Sequence, residues 1–280
     1  MKIFRRVALF TCVALGALTP ASANHSWGGY HWATNGSGLS LTVNTAVSAA
    51  WTSSVGTAIS DWESSKVLAL TQRDASGIST KKCSPIAGQS LVCNDAYGRK
   101  GWLGIASIWL SNGHISQATT KLNDSYHDFA PYNSPEWRAL VACQEIGHDF
   151  GLDHQDETFN NVNLGTCMDY TNAPSGGVVN GVNYGPSNEH PNRHDYDELK
   201  IIYGHDDGYT SATASTNFGI RQLGKAPPQS AAGAGDSPAE WGRAIHRDKQ
   251  GRPDVFEKTL APGHSVLTHV LWAIGEGPTR

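Results

Sequence analysis

Between Ala142 and Gln155 the chain reads ACQEIGHDFGLDHQ, and no other stretch restricts the possible folds as tightly. Positions 144 and 148 are one helical turn apart, so their side chains face the same side of a helix. Ser134, Pro135 and Glu136 start that helix well: a capping serine, a proline in the first turn and an acid by the positive end of the dipole. Trp137, Leu140 and Val141 give it an apolar face. Gly151 can adopt the left-handed conformation that ends a helix, and the chain can then fold back so that His154 approaches the point faced by 144 and 148. Such a donor set suits zinc, which takes a few nitrogen, sulfur or oxygen ligands around one point and leaves a position for water. Glu145 stands beside these ligands without joining them, where it can accept a proton from that water. A third imidazole is missing, because position 144 is a glutamine. Its amide oxygen can reach a metal but is a poorer donor to zinc than imidazole. His190 and His194 lie in the same region as replacement donors, with no spacing that singles them out.

The surrounding pattern is that of a mixed α+β domain. Val47, Trp51, Val55, Ile59 and Trp62 recur at three- and four-residue steps and predict an amphipathic helix over 46–65. Residues 67–71 form a short strand candidate, and the apolar run 102–110, WLGIASIWL, is suited to a strand buried on both faces. A weaker strand follows over 114–122. Residues 157–193 are rich in Asn, Gly and Pro and read as irregular. Tyr196, Leu199, Ile202 and Tyr203 predict a last amphipathic helix, stopped by Gly204. Residues 221–240 contain GKAPPQSAAGAGDSP, a linker by composition. Beyond it, 242–247, 255–260 and 265–272 read as three short strands with turns at Gly251-Arg252-Pro253 and Pro262-Gly263. Three strands are marginal alone, so this tail should dock on the body or on a partner.

Lys2, Arg5 and Arg6, the apolar run from Val7 to Leu18 and Ala21-Ser22-Ala23 have the form of a signal peptide over 1–23. No later segment is long and apolar enough to span a membrane, so the expected product is secreted, extracellular or periplasmic, and free of the membrane after cleavage. Removing 1–23 takes three positive charges from a chain of net charge −4. With no basic cluster, nucleic acid is excluded as a partner. Cys83, Cys93, Cys143 and Cys167 remain, an even count that argues for two disulfides in an exported chain; four cysteines allow three connectivities.

The run Gln144-Glu145-Ile146-Gly147-His148-Asp149-Phe150-Gly151-Leu152-Asp153-His154 resembles the zinc signature of the metzincin metalloproteases, H-E-x-x-H-x-x-G-x-x-H, with the first His replaced. Downstream, TCMDY places Met168 in a resemblance to the Met-turn of that group, with Tyr170 where some members carry a tyrosine able to reach the zinc. The resemblance spans about residues 30–205 and is closest to the bacterial matrixin-like branch. It implies a metzincin-like catalytic domain over 24–220, with a twisted, mostly parallel sheet, an active-site helix, a Met-turn and a C-terminal helix. A small β-rich segment over 241–280 would follow. It also implies peptide-bond hydrolysis by a zinc-bound water, with His148, His154 and the weaker Gln144 on the metal. Glu145 would be the base and Tyr170 an outer ligand or transition-state stabiliser. Because the Met-turn of that fold lies under the active-site helix, Cys143 should bond Cys167, leaving Cys83 with Cys93. The substrate would be a protein or peptide. The competing expectation is a pseudoprotease that keeps the cleft to bind peptides without cutting them.

Overall fold

The computed structural model describes residues 24–213 and 233–278. The segment read as a signal peptide and most of the expected linker lie outside the described residues.

Helix α1 (Ala49–Glu63) forms where the three- and four-residue spacing predicts it, and buries Trp51, Val55, Ala58, Ile59 and Trp62. Helix α3 (Pro135–Asp149) is capped by Ser134, whose Oγ accepts from the Trp137 N–H, and has proline in its first turn. From Leu140 to Asp149 every residue of α3 is buried. Its last two turns are therefore enclosed on all sides, between α1 and the sheet below. Trp62 Nε1 donates to the Cys143 carbonyl and Trp32 Nε1 to the Asp149 carbonyl, while Tyr203 Oη donates to the Phe150 carbonyl. These bonds satisfy backbone acceptors in and just beyond the buried end of the helix.

The sheet combines β1 (His31–Trp32), β2 (Leu39–Ala46), β3 (Leu68–Asp74), β4 (Ser90–Asp95), β5 (Trp102–Ser111) and β6 (His114–Asn123) with β9 (Arg243–Arg247), β10 (Pro253–Ala261) and β11 (His264–Trp272). Its order is β3-β2-β4-β6-β5-β11-β10-β9, with β1 pairing β6. Pairing is parallel from β3 to β6 and antiparallel from β6 to β9. The expected mostly parallel sheet thus describes one half of the structure. The three tail strands are a continuation of this sheet: β11 pairs along β5 from His264↔Ser111 to Trp272↔Trp102. The run 102–110 is apolar but for Ser107, which bonds Thr268 on β11, because both faces are covered. Leu103, Ile108 and Leu110 belong to the main core; Trp102 and Ile105 pack with Trp241, Phe256, Val270 and Trp272 in a second one.

The end of the expected linker is ordered. Residues Pro238–Trp241 form the short helix α5 with Trp241 buried, and Lys121 Nζ reaches Asp236 at 2.6 Å. The remaining elements are α2 (Asp124–His127), the exposed hairpin β7 (Gly177–Val179) and β8 (Val182–Gly185), and α4 (Arg193–Ile202). That hairpin is the one pair of strands in the stretch read as irregular. The bonded cysteines are Cys83 with Cys93 and Cys143 with Cys167. Among the described residues no helix is long and apolar enough to cross a membrane.

Candidate metal centre

His148 sits in the last turn of α3 and is buried. Its Nδ1 lies 2.8 Å from the Leu152 carbonyl, an acceptor, so Nδ1 carries the proton and Nε2 keeps its lone pair. Burial first, then the neighbouring rings of His269 and His154, hold its pKa well below the ordinary value, which keeps the ring neutral and available as a ligand.

The return of the chain to His154 depends on Gly151. Its φ is +87°, and a Cβ there would lie 2.1 Å from the Tyr30 carbonyl oxygen. The N-terminal segment clamps this turn: Trp27 N–H donates to the Gly151 carbonyl and Asp153 N–H to the His25 carbonyl. The result brings His154 Nε2 to 3.1 Å from His148 Nε2. Two nitrogens on one tetrahedral zinc, each about 2.0–2.1 Å from the ion, lie about 3.3 Å apart. Burial disfavours a charged His154, but Glu157 and Asp153 outweigh it and raise the pKa.

The third imidazole comes from β11. His269 is buried, and one of its ring nitrogens lies with those of His148 and His154 within 4.8 Å of one another. Register places it: His269 pairs with Ala106 on β5, the strand on which α3 rests. His269 Nδ1 is 3.3 Å from Glu145 Oε2, and His269 Nε2 is 2.9 Å from Tyr170 Oη. The second carboxylate oxygen, Glu145 Oε1, is buried with no partner. Gly104 makes room for it, since a Cβ at 104 would lie 2.7 Å from both Glu145 Cγ and Oε1.

Gln144 Nε2 donates to the Cys167 carbonyl at 2.8 Å, and Gln144 Oε1 is buried without a partner. Met168 packs beneath α3 at Gly147, where a Cβ would lie 2.7 Å from its Sδ. The Cys143–Cys167 bond fastens helix and turn beside that contact. Tyr170 packs against His154 with its ring tilted by 45° and the centroids 4.3 Å apart, and its hydroxyl also approaches Asp254 Oδ2 at 3.4 Å. Burial, then the Asp254 and Glu157 carboxylates, push its pKa well above the ordinary value, so it stays a neutral phenol.

His190 and His194 are not part of this group. His190 pairs with Asp61 at the surface, and His194 stacks on His25. Sequence reasoning missed His269 altogether. In HSVLTHVLW nothing marks it apart from any other strand histidine, and only the β5–β11 pairing carries it to the helix.

The donor set fits a divalent metal that accepts nitrogen: three buried imidazoles, one locked as the Nε2 donor, with a carboxylate oriented on the third. The described residues hold other groups able to take a metal ion, one of which shares no residue with this centre or its neighbours.

No family profile and no curated protein matches the sequence. Among solved structures, that of myroilysin is similar over 70% of this chain and 90% of its own, with 11% sequence identity and a TM-score of 0.34. An overlap that loose carries no argument about this chain.

Proposed function

We propose that this chain is an exported zinc-dependent endopeptidase whose metal is held by His148, His154 and His269. The observation that carries the reading is the convergence of these three imidazoles, from a helix, a turn and a distant strand, around the Glu145 carboxylate. His269 takes the place that Gln144 leaves in the signature, and Gln144 instead braces the Cys167 turn through its amide. When bound, zinc would polarise the scissile carbonyl and acidify the attacking water.

The chain's own residues divide the remaining work. Glu145 Oε2 accepts from His269 Nδ1–H and orients that ring, as a carboxylate behind a ligating histidine does. Glu145 Oε1, without a protein partner, takes the proton from water and returns it to the leaving amine. Tyr170, a neutral phenol beside the cluster, donates to the carbonyl oxygen as charge develops there. Export rests on the signal-like first 23 residues and agrees with two disulfides, which persist in oxidising compartments.

One observation favours a second reading, a metal-holding protein without catalysis. Glu145 has no exposed surface, and β11 pairs along the β5 edge where an extended peptide could otherwise add as a strand. A substrate reaches Glu145 only when that cover shifts. The two readings separate on metal content of the chain purified without added zinc, followed by a peptide-library digest with Glu145→Ala as control. Bound zinc with cleavage that vanishes in Glu145→Ala supports the peptidase. Bound zinc without cleavage leaves the non-catalytic reading, and absence of metal overturns both.

A further inference from the structure

A second set of histidines gathers at the surface, none of them among the three imidazoles of the buried cluster. His31 opens β1 and His114 opens β6, and the two are directly paired in the β1–β6 register. His205 and Asp207 follow α4, where the chain is strapped to the N-terminal segment by Asp207 N–H to the Thr34 carbonyl and Ser211 N–H to the Ala33 carbonyl.

Three ring nitrogens point at one carboxylate oxygen. Asp207 Oδ1 lies 3.5 Å from His31 Nε2, 3.3 Å from His114 Nε2 and 3.1 Å from His205 Nε2. His31 Nε2 and His205 Nε2 are themselves 3.0 Å apart. The other carboxylate oxygen, Oδ2, accepts from the Thr34 N–H at 2.8 Å. Burial would raise the pKa of Asp207, but that N–H and the rings of His114 and His31 bring it down to about 2, so the group is a carboxylate.

His31 Nδ1 lies 2.9 Å from the Gly29 carbonyl, so the neutral ring carries its proton there and turns an Nε2 lone pair toward both Asp207 Oδ1 and His205 Nε2. Without a metal, His205 Nε2–H can donate to that lone pair across 3.0 Å. With the His205 proton on Nδ1 instead, two imidazole lone pairs and a carboxylate oxygen face one point, the arrangement a cation takes directly. The separations of 3.0–3.5 Å lie around the roughly 3.3 Å edge of a tetrahedral zinc site. Tyr209 Oη, 3.0 Å from His114 Nδ1, fixes that ring, which in turn holds Asp207 Oδ1, as groups behind a ligand do.

We propose that His31, His205 and Asp207 form a structural binding site for a divalent transition metal, zinc by preference, which pins the segment after α4 to the start of β1, with His114 holding the Asp207 carboxylate in place. The donors come from two segments far apart in sequence, so a bound ion ties them together. His205 is half-exposed, which gives the ion a way in from solvent.

The test titrates zinc into the full chain after chelator treatment, reading stoichiometry by elemental analysis and stability by thermal unfolding. His205→Gln changes an exposed side chain and should fold normally; it should bind one zinc fewer than the unmodified chain. Zinc should also raise its unfolding temperature less. His114→Gln, which frees the Asp207 carboxylate, should weaken zinc binding in the same direction. His148→Gln, altered only at the buried cluster, should keep the surface zinc, so failure of this proposal is distinguishable from failure of the peptidase reading. Equal zinc stoichiometry in His205→Gln, His114→Gln and the unmodified chain would overturn the surface site.

Discussion

Gly104 lies on β5 directly beneath α3, and a methyl group at that position would lie 2.7 Å from Glu145 Cγ, Glu145 Oε1 and Val141 Cγ1. Carbon atoms in contact prefer about 3.5–4.0 Å, so the neighbours would have to yield by roughly 1 Å. Several bonds resist that shift. Trp62 holds the Cys143 carbonyl, Thr120 Oγ1 donates to the Glu145 carbonyl, and the Cys143–Cys167 bond anchors the same turn. Overpacking of this kind costs about 1–3 kcal/mol, against about 0.5–1 kcal/mol gained by removing glycine from a strand. Gly104→Ala should therefore destabilise the chain by about 1–2 kcal/mol, which lowers Tm by roughly 2–8 °C at this size. Gly56 is the matched control: it lies inside α1 with nothing within 4 Å of its would-be Cβ. Gly56→Ala should stabilise by about 0.5–1 kcal/mol. Thermal unfolding of both variants without metal gives the comparison. A Gly104→Ala protein at least as stable as the unmodified chain would refute the close packing of Glu145 against β5.

Two further outcomes follow from the fold. Replacing Cys143 and Cys167 by serine opens a loop with a sequence separation of 24, and should cost about 3–4 kcal/mol on the chain-entropy scale, measured by denaturant unfolding; a loss under about 1 kcal/mol would contradict it. His246 is half-exposed and pairs with Asp254 at 2.8 Å, which, ahead of the opposing effect of burial, raises its pKa to about 9. A folded-state pKa above the unfolded 6.5 means the pair stabilises fully below pH 6.5 and loses that contribution as pH rises through about 9. The Tm difference between the chain and His246→Gln should therefore shrink from pH 6 to pH 9.5; a difference that grows with pH would reverse the assignment.

The legible parts of the fold are those in which one short stretch carries the whole signal. Helix α1 announces itself through Trp51, Val55, Ile59 and Trp62, and α3 through its serine cap and proline. Strands β2 and β4 were not foreseen. Strand β2 does alternate Leu39, Leu41 and Val43 with Ser40, Thr42 and Asn44, a period-two signal that sequence reasoning missed. The burial of Thr42, Asn44 and Ser90 is not written locally, and Asn44 finds its partners in Gln89 and the Ser90 carbonyl only after the strands pair. The same division runs through the candidate site. Glu145, His148, Gly151 and His154 share a helix and its turn, so their spacing is written in the local sequence. His269 reaches them because β11 aligns it with Ala106, a long-range register that local periodicity does not encode.

Which residue supplies the third metal donor, His269 or Gln144, is decided most directly by zinc affinity. Chelator competition on His269→Gln and Gln144→Ala, each carrying His205→Gln to silence the surface cluster, isolates the buried centre. Loss of the His269 imidazole should weaken zinc binding by at least about tenfold, since even the loss of groups behind the ligands has effects of that size. Gln144→Ala removes a hydrogen bond to the Cys167 carbonyl, worth about 0.5–1.5 kcal/mol of fold stability, and should leave zinc affinity nearly unchanged. Weakened binding in Gln144→Ala with unaltered binding in His269→Gln would return the third ligand to the helix and contradict the three-histidine centre.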